Sequence, residues 1–169
     1  AKTESTVREF QSYYGLKVTG VADEATLSKI EEVLSTPFQN GKRHSDVIEL
    51  KKNLARLGFI VSTNPNEVYG GQTERTVKEF QSYYGLRVNG IVDGPTLAKI
   101  EELKDQPLGP GSYAEEIVEL KIKLKELGFV VSANPSPMFG PQTERTIKEF
   151  QSYHGLRVTG LADGATLAK

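Results

Sequence analysis

The stretch Thr73–Lys99 reads TERTVKEFQSYYGLRVNGIVDGPTLAK, and it recurs almost letter for letter at Thr143–Lys169 and at Thr3–Lys29. The copies begin at positions 3, 73 and 143, so each starts 70 residues after the one before. A fixed period of this size is the signature of one structural unit used several times. We therefore expect a series of small repeats rather than a single domain of 169 residues.

The start of each copy has the pattern of an amphipathic helix. In the first copy a threonine cap at Thr3 or Thr6 is followed by Val7, Phe10 and Tyr14, which share one helix face. Gly15 and its equivalents Gly85 and Gly155 are expected to end this helix with a positive φ, which only glycine adopts at low cost.

A second helix follows a short apolar connection in each copy. Asp23 is typical of an N-cap, and Leu27, Ile30 and Leu34 are expected to face inward. Asp93 and Asp163 occupy the same position in the other copies and are predicted to be caps rather than catalytic acids.

A third helix precedes each of the later copies. In the first instance Ser45 or Asp46 is expected to cap a helix that carries Val47, Leu50, Leu54 and Leu57 on one face and ends at Gly58. The fold class is therefore predicted as all-α, in tandem units of about 70 residues with three helices each. The predicted organisation is a partial repeat at residues 1–34, a linker at 35–44, a complete repeat at 45–104, a second linker at 105–114 and a nearly complete repeat at 115–169.

The partial repeat lacks its leading helix, and the last repeat is truncated in its final helix. We expect a fragment of a longer protein, whose N-terminal half-repeat (residues 1–34) packs on the next unit or associates with another chain. No run of residues approaches the length of a membrane span.

The composition argues against several classes of function. With 21 basic and 22 acidic residues, the net charge of −1 gives no basic face for nucleic acid. The absence of cysteine excludes disulfides and thiolate zinc sites. His44 lies in a linker and His154 replaces a tyrosine of the other copies, so neither has the spacing of a metal ligand or a catalytic base. We predict no catalytic residue, no metal and no cofactor.

The repeated residues resemble the type 1 peptidoglycan-binding domain. In the second copy the matching residues are Leu57-Gly58-Phe59, Tyr69-Gly70, Thr73, Val77, Phe80-Gln81, Tyr84-Gly85-Leu86, Val88, Gly90, Asp93 and Thr96-Leu97. The third copy repeats them from Leu127 to Leu167, with Phe139, Ile147 and His154 in place of Tyr69, Val77 and Tyr84. The resemblance implies a small three-helix bundle, typically a non-catalytic targeting module of secreted bacterial wall hydrolases. The family is also similar to the propeptide of matrix metalloproteases, but this sequence has no counterpart of the inhibitory cysteine of that propeptide.

Two departures from the family pattern fall near the expected binding groove. The Asp-Gly pair before the aromatic residue is replaced by Asn66–Val68 and Ser136–Met138, and a frequent Gln of the first helix is replaced by Lys51 and Lys121.

The resemblance implies a wall-anchoring module in an extracellular, cell-wall setting, with peptidoglycan or an associated wall polymer as the partner. Several weak sites on one chain would add residence time through effective concentration. The candidate contact residues are rings and polar groups expected at the surface: Asn64, Tyr69, Gln72, Tyr83, Arg87, Asn134, Phe139, Gln142, Tyr153 and Arg157. For Tyr69 and Phe139 a place in the core is an equal alternative. The alternative function is a structural array, such as a surface-layer or stalk segment, whose repeats pack together and bind no small ligand.

Overall fold

In the computed structural model, which describes residues 2–169, the chain is mainly helical, as the repeat pattern predicts. The described part contains eight helices and two short strands: α1 (Lys2–Tyr13), α2 (Glu24–Ser35), β1 (Lys42–Arg43), α3 (Asp46–Arg56), β2 (Val68–Tyr69), α4 (Gly71–Tyr83), α5 (Gly94–Leu103), α6 (Glu116–Glu126), α7 (Pro141–Tyr153) and α8 (Gly164–Leu167). The all-α fold class is confirmed.

Contacts divide the chain into two compact units. One unit combines residues 2–44 with Val68–Lys99, and the other combines Ser45–Glu67 with Ile100–Lys169. Each unit therefore joins segments from two successive copies of the repeat. The domain boundaries read from the sequence stay a prediction.

In the first unit, hydrogen bonds and a strand pairing attach the half-repeat and its linker to the second copy. The Tyr14 hydroxyl donates a hydrogen bond to the Asp93 carboxylate at 2.7 Å. The Val92 amide donates to the Phe38 carbonyl at 2.9 Å, and β1 pairs with β2 in an antiparallel register that sets Lys42 opposite Tyr69. The half-repeat is thus packed within its own chain.

In the second unit, the third repeat has a continuous apolar core. Buried side chains of α6 and α7 meet residues from the segments on either side of α6 and from the loop before α8. The buried members are Leu108, Ala114, Ile117, Leu124, Phe139, Ile147, Phe150 and Ala162. Bridges between Leu108 and Ala162 and between Tyr113 and Met138 connect these segments.

Glycine and aspartate end and begin the helices as expected. Gly15, Gly85 and Gly155 have φ values of 67°, 68° and 65°, in the left-handed region that favours glycine. The carboxylates of Asp23 and Asp163 accept a hydrogen bond from the amide three residues later, at the start of α2 and α8.

Several local predictions were wrong. Helix α1 is already helical at Lys2, so Thr3 is no cap, and the Thr6 hydroxyl bonds instead to the Lys2 carbonyl. Ser45 precedes α3 but makes no side-chain capping bond. Leu27 and Leu34 are exposed rather than inward-facing. The equivalents of Leu27 in the other copies, Leu97 and Leu167, are exposed as well, so this position lies at the surface in every copy.

Candidate functional site

A buried glutamine holds the loop after the long helix in every copy. Gln81 is fully buried; its amide nitrogen donates to the Asn89 side chain, the Ile91 carbonyl and the Thr96 hydroxyl at 2.9, 2.9 and 3.1 Å. Its oxygen accepts from the amides of Asn89 and Gly90. Gln11 and Gln151 make the equivalent bonds. All four hydrogen-bonding positions of this amide serve the fold, so the glutamine is not a ligand group.

Two candidate contact residues lie in the core. Tyr69 is fully buried and its hydroxyl donates to the Gly90 carbonyl at 2.7 Å. Phe139 is almost fully buried in the cluster around Ile147 and Phe150. For both rings the sequence left the core and a binding groove as equal alternatives, and the structure has them in the core, because a large apolar ring gains more from burial than from solvent contact. Burial also raises the pKa of the Tyr69 hydroxyl, followed by the effect of the Glu74 charge.

The other eight candidate residues lie at the surface. Tyr83 and Tyr153 are 75% and 79% exposed, which is unusual for rings of this size. The polar members are exposed as well: Asn64, Gln72, Arg87, Asn134, Gln142 and Arg157.

In the third repeat these residues fall at opposite ends of α7. Gln142 is in the first turn and Tyr153 is the last helical residue, eleven positions later, which corresponds to roughly 16 Å along a helix axis. Arg157 follows the helix, and the Tyr153 ring lies 5.9 Å from the ring of Phe129. The residues therefore do not form one site. One group belongs to the start of α7 and the other to its end.

A pocket of about 200 Å³ lies at the start of α7. We call it the α7 pocket; its lining includes Lys121, Ser132, Ser136, Met138, Gln142 and Thr143. Met138 and Gly140 face it, while Phe139 between them enters the core. The helix begins after Gly140 without a side-chain cap and has proline at its first position. The start of α7 is therefore open to this pocket.

Lys121 and Thr143 are pocket residues that were not among the sequence-derived candidates. Lys121 lies in the apolar stripe of α6, between Ile117 and Leu124, and is 5% exposed. Its ammonium donates to the carbonyls of Ser136 and Met138 at 2.8 and 2.7 Å. A lysine within an apolar stripe is the sequence signal that could have located the pocket.

Other kinds of site have no support in the described residues. No group of three or more His, Asp or Glu side chains in residues 2–169 could hold a metal ion. No described helix is long and apolar enough to cross a membrane.

Comparison with known proteins gives the family. A family model described as "Putative peptidoglycan binding domain" matches residues 1–30, 43–100 and 113–169. The chain is also 27% identical over 144 residues to the N-acetylmuramoyl-L-alanine amidase CwlM of Mycobacterium tuberculosis (strain ATCC 25618 / H37Rv). That alignment covers 75% of this chain and 35% of the relative, so the chain spans about a third of the length of the curated relative it matches. No solved structure matches the chain. Because the family model covers most of the sequence in three segments, the chain belongs to the peptidoglycan-binding domain family, as tandem repeats.

Proposed function

We propose that this chain is a non-catalytic module that anchors or targets a larger secreted bacterial protein to the cell wall. Its partner is peptidoglycan or an associated wall polymer, bound outside the cell through several weak, repeated sites. The family match in three segments and the wall-related name of the amidase relative support a cell-wall setting. No catalytic step is assigned to the chain itself.

The observation that carries the proposal is a large exposed ring at the same position in both later copies. Tyr83 and Tyr153 are each the last residue of a long helix, and their side chains are three-quarters and nearly four-fifths exposed, respectively. A ring held on a rigid helix end offers an apolar face that packs on the apolar face of a sugar, while its hydroxyl remains hydrated. Arg87 and Arg157 follow four residues later and supply a charge for a wall carboxylate or phosphate.

Two such sites on one chain act together on a polymer. When one site is bound, the second meets its ligand at an effective concentration in the millimolar range, and avidity then exceeds the single-site affinity by about 10²- to 10⁴-fold. Weak single sites are therefore compatible with firm retention on a wall.

The experiment compares the wild type with Tyr83→Ala, Tyr153→Ala and the double variant in binding to purified wall sacculi. Each single variant should weaken binding moderately, and the double variant should lose far more than either one. Ser82→Ala and Ser152→Ala change the neighbouring exposed residue of each helix and serve as matched controls. Unchanged binding of the double variant would refute the role of the tyrosines.

A structural array is the second candidate function, and the Tyr14–Asp93 hydrogen bond is the observation that favours it. This bond joins successive copies, as a packed array requires. An array without a ligand would show no saturable binding to sacculi, whereas the anchoring module would.

A further inference from the structure

The α7 pocket contains a positive charge without a counter-ion. The ammonium of Lys121 donates to two neutral carbonyls, of Ser136 and Met138, and lies 3.5 Å from the Ser136 hydroxyl. No carboxylate among residues 2–169 pairs with it. Burial lowers the pKa of Lys121, as expected for an ammonium held away from water without an opposite charge. A bound anion would supply the missing charge.

The ammonium also has donor capacity to spare. It carries three N–H groups, and two of them make the short bonds to the carbonyls. The third has only the long contact with the Ser136 hydroxyl. In the second copy the equivalent Lys51 donates to both the carbonyl and the side-chain oxygen of Asn66, each at 3.0 Å. The serine at position 136 therefore leaves a donor less well satisfied than the asparagine at position 66.

The start of α7 adds further donors to the same pocket. The first-turn amides of a helix have no acceptor within the helix, and the helix dipole is positive at this end. Here those amides belong to Gln142 and Thr143, since Pro141 has none. Thr143 is 4% exposed, lines the pocket, and its hydroxyl makes no hydrogen bond with any residue of the described chain. Among the described residues only the Tyr13 hydroxyl is both fully buried and unpaired, so the Thr143 hydroxyl is open to the pocket that the residue lines. A side chain that is more than nine-tenths buried and whose unpaired hydroxyl opens into a pocket is a second, independent sign of a ligand position.

We propose that the α7 pocket binds a carboxylate of the wall peptide and that Lys121 is the residue that selects it. The inference rests on the proposed function, since it names the part of the polymer that one site takes. The carboxylate oxygens accept from the Thr143 hydroxyl and the first-turn amides, and their charge faces the ammonium. At about 200 Å³ the pocket is smaller than the roughly 300–1,000 Å³ of sites for drug-sized ligands, so it suits the end of a peptide rather than a pair of sugars.

The test uses the full 169-residue chain and three probes: a wall muropeptide with free carboxylates, the same muropeptide with its carboxylates amidated, and inorganic phosphate. Binding is followed through the NMR shifts of the Gln142 and Thr143 amides. The free acid should bind at least about tenfold more tightly than the amide, the value of one charge-assisted hydrogen bond.

Three variants test which residues make the pocket prefer the free carboxylate over the amide. Lys121→Gln keeps hydrogen-bond donors for the loop carbonyls but removes the charge, so it should bring acid and amide to similar affinities. Ser136→Asn imitates the second copy and should weaken acid binding. Thr143→Val leaves the lysine untouched and should also weaken it, which keeps the test valid if the Lys121 variant disturbs the loop. Lys51→Gln is the matched control and should leave the shifts of the third repeat unchanged.

The outcomes separate this inference from the proposed function. Equal binding of acid and amide by the wild type would overturn the inference, and so would phosphate shifting these amides without any effect of the muropeptide. If the muropeptide shifts only residues near Tyr153, the anchoring function stands and the carboxylate pocket fails. If neither the muropeptide nor intact sacculi bind, both fail.

Discussion

Replacement of the buried glutamine by leucine is the most direct test of how each repeat is held together. In wild type, Gln81 satisfies the amides of Asn89 and Gly90 and the carbonyl of Ile91, while Thr96 keeps a second bond to Asp93. Leucine has a similar size but no polar atom, so Gln81→Leu leaves the Gly90 amide without a partner. The Asn89 amide keeps a bond to the Arg87 carbonyl, and the Ile91 carbonyl keeps one from the Asp93 amide. The change removes hydrogen bonds without opening a cavity.

The size of the effect follows from the burial of these groups. A buried polar group left unpaired costs about 1–3 kcal/mol. Gly90 is buried, whereas Asn89 and Ile91 are half-buried and can partly rebind water. The unpaired Gly90 amide accounts for about 1–3 kcal/mol and the other lost bonds for roughly 1 kcal/mol more, so the free energy of unfolding of Gln81→Leu should fall by about 2–4 kcal/mol.

The half-repeat offers a matched comparison. Gln11 makes the equivalent bonds, but Gly20 is only half-buried and Val21 is exposed, so water can replace most of them. Gln11→Leu should cost about 1–2 kcal/mol.

Urea denaturation followed by far-ultraviolet circular dichroism measures both variants, and amide exchange at Gly90 and Gly20 assigns the effect to each loop. Gln106→Leu, in an exposed linker, is the surface control and should stay within about 0.5 kcal/mol of wild type. Equal costs for Gln81→Leu and Gln11→Leu, or a cost below about 1 kcal/mol for Gln81→Leu, would refute the reasoning.

Three further predictions concern the same unit. Tyr14→Phe removes the bond to Asp93 and should lower the free energy of unfolding by about 1–2 kcal/mol in urea denaturation; no change would show that this bond does not hold the half-repeat. Gly90→Ala should lower the free energy of unfolding by about 1–2 kcal/mol or more, because Gly90 has a φ of +75° and the added methyl would lie 2.6 Å from a side-chain atom. Gly94→Ala adds a methyl in open space, so in thermal melts it should be neutral or stabilising by up to about 1 kcal/mol. The reverse order of stability would contradict the backbone argument. Burial raises the pKa of the Tyr69 hydroxyl, so the stability that this neutral group contributes is complete below about pH 10 and is lost as pH rises through its folded-state pKa. Ionisation of Tyr69, seen by near-ultraviolet absorbance while the helices remain folded, would contradict the structure.

Much of the fold could be predicted from the sequence because its signals are local. The helix periodicity, the helix-ending glycines and the Asp23 cap depend on neighbouring residues alone, and the structure contains each of them. The exposure of Leu27 could not be predicted, since periodicity groups it with Ile30 and Leu34 but does not show which part of that apolar face meets the rest of the fold. The pairing of β1 with β2 also escapes local analysis, because it joins residues that lie far apart in the chain.

The candidate site was less predictable than the helices, because it depends on contacts between residues that are distant in the sequence. Periodicity shows that Tyr153 points away from the helix core, so its exposure could be read from the sequence. Phe139 lies in a loop, where no period separates an inward ring from an outward one. Lys121 was recognised as unusual for its position, but its place in a pocket follows only from the fold of the loop that its ammonium holds.

Co-sedimentation of the chain with purified wall sacculi, before and after removal of teichoic acids and across a salt series, tests the central claim most directly. The proposed module should bind saturably, and binding should survive both the stripping and the salt, because the exposed tyrosines contribute contacts that salt does not screen. If binding disappears when the teichoic acids are removed, the ligand is this polyanion rather than peptidoglycan. A chain that stays in the supernatant at every salt concentration would contradict the account.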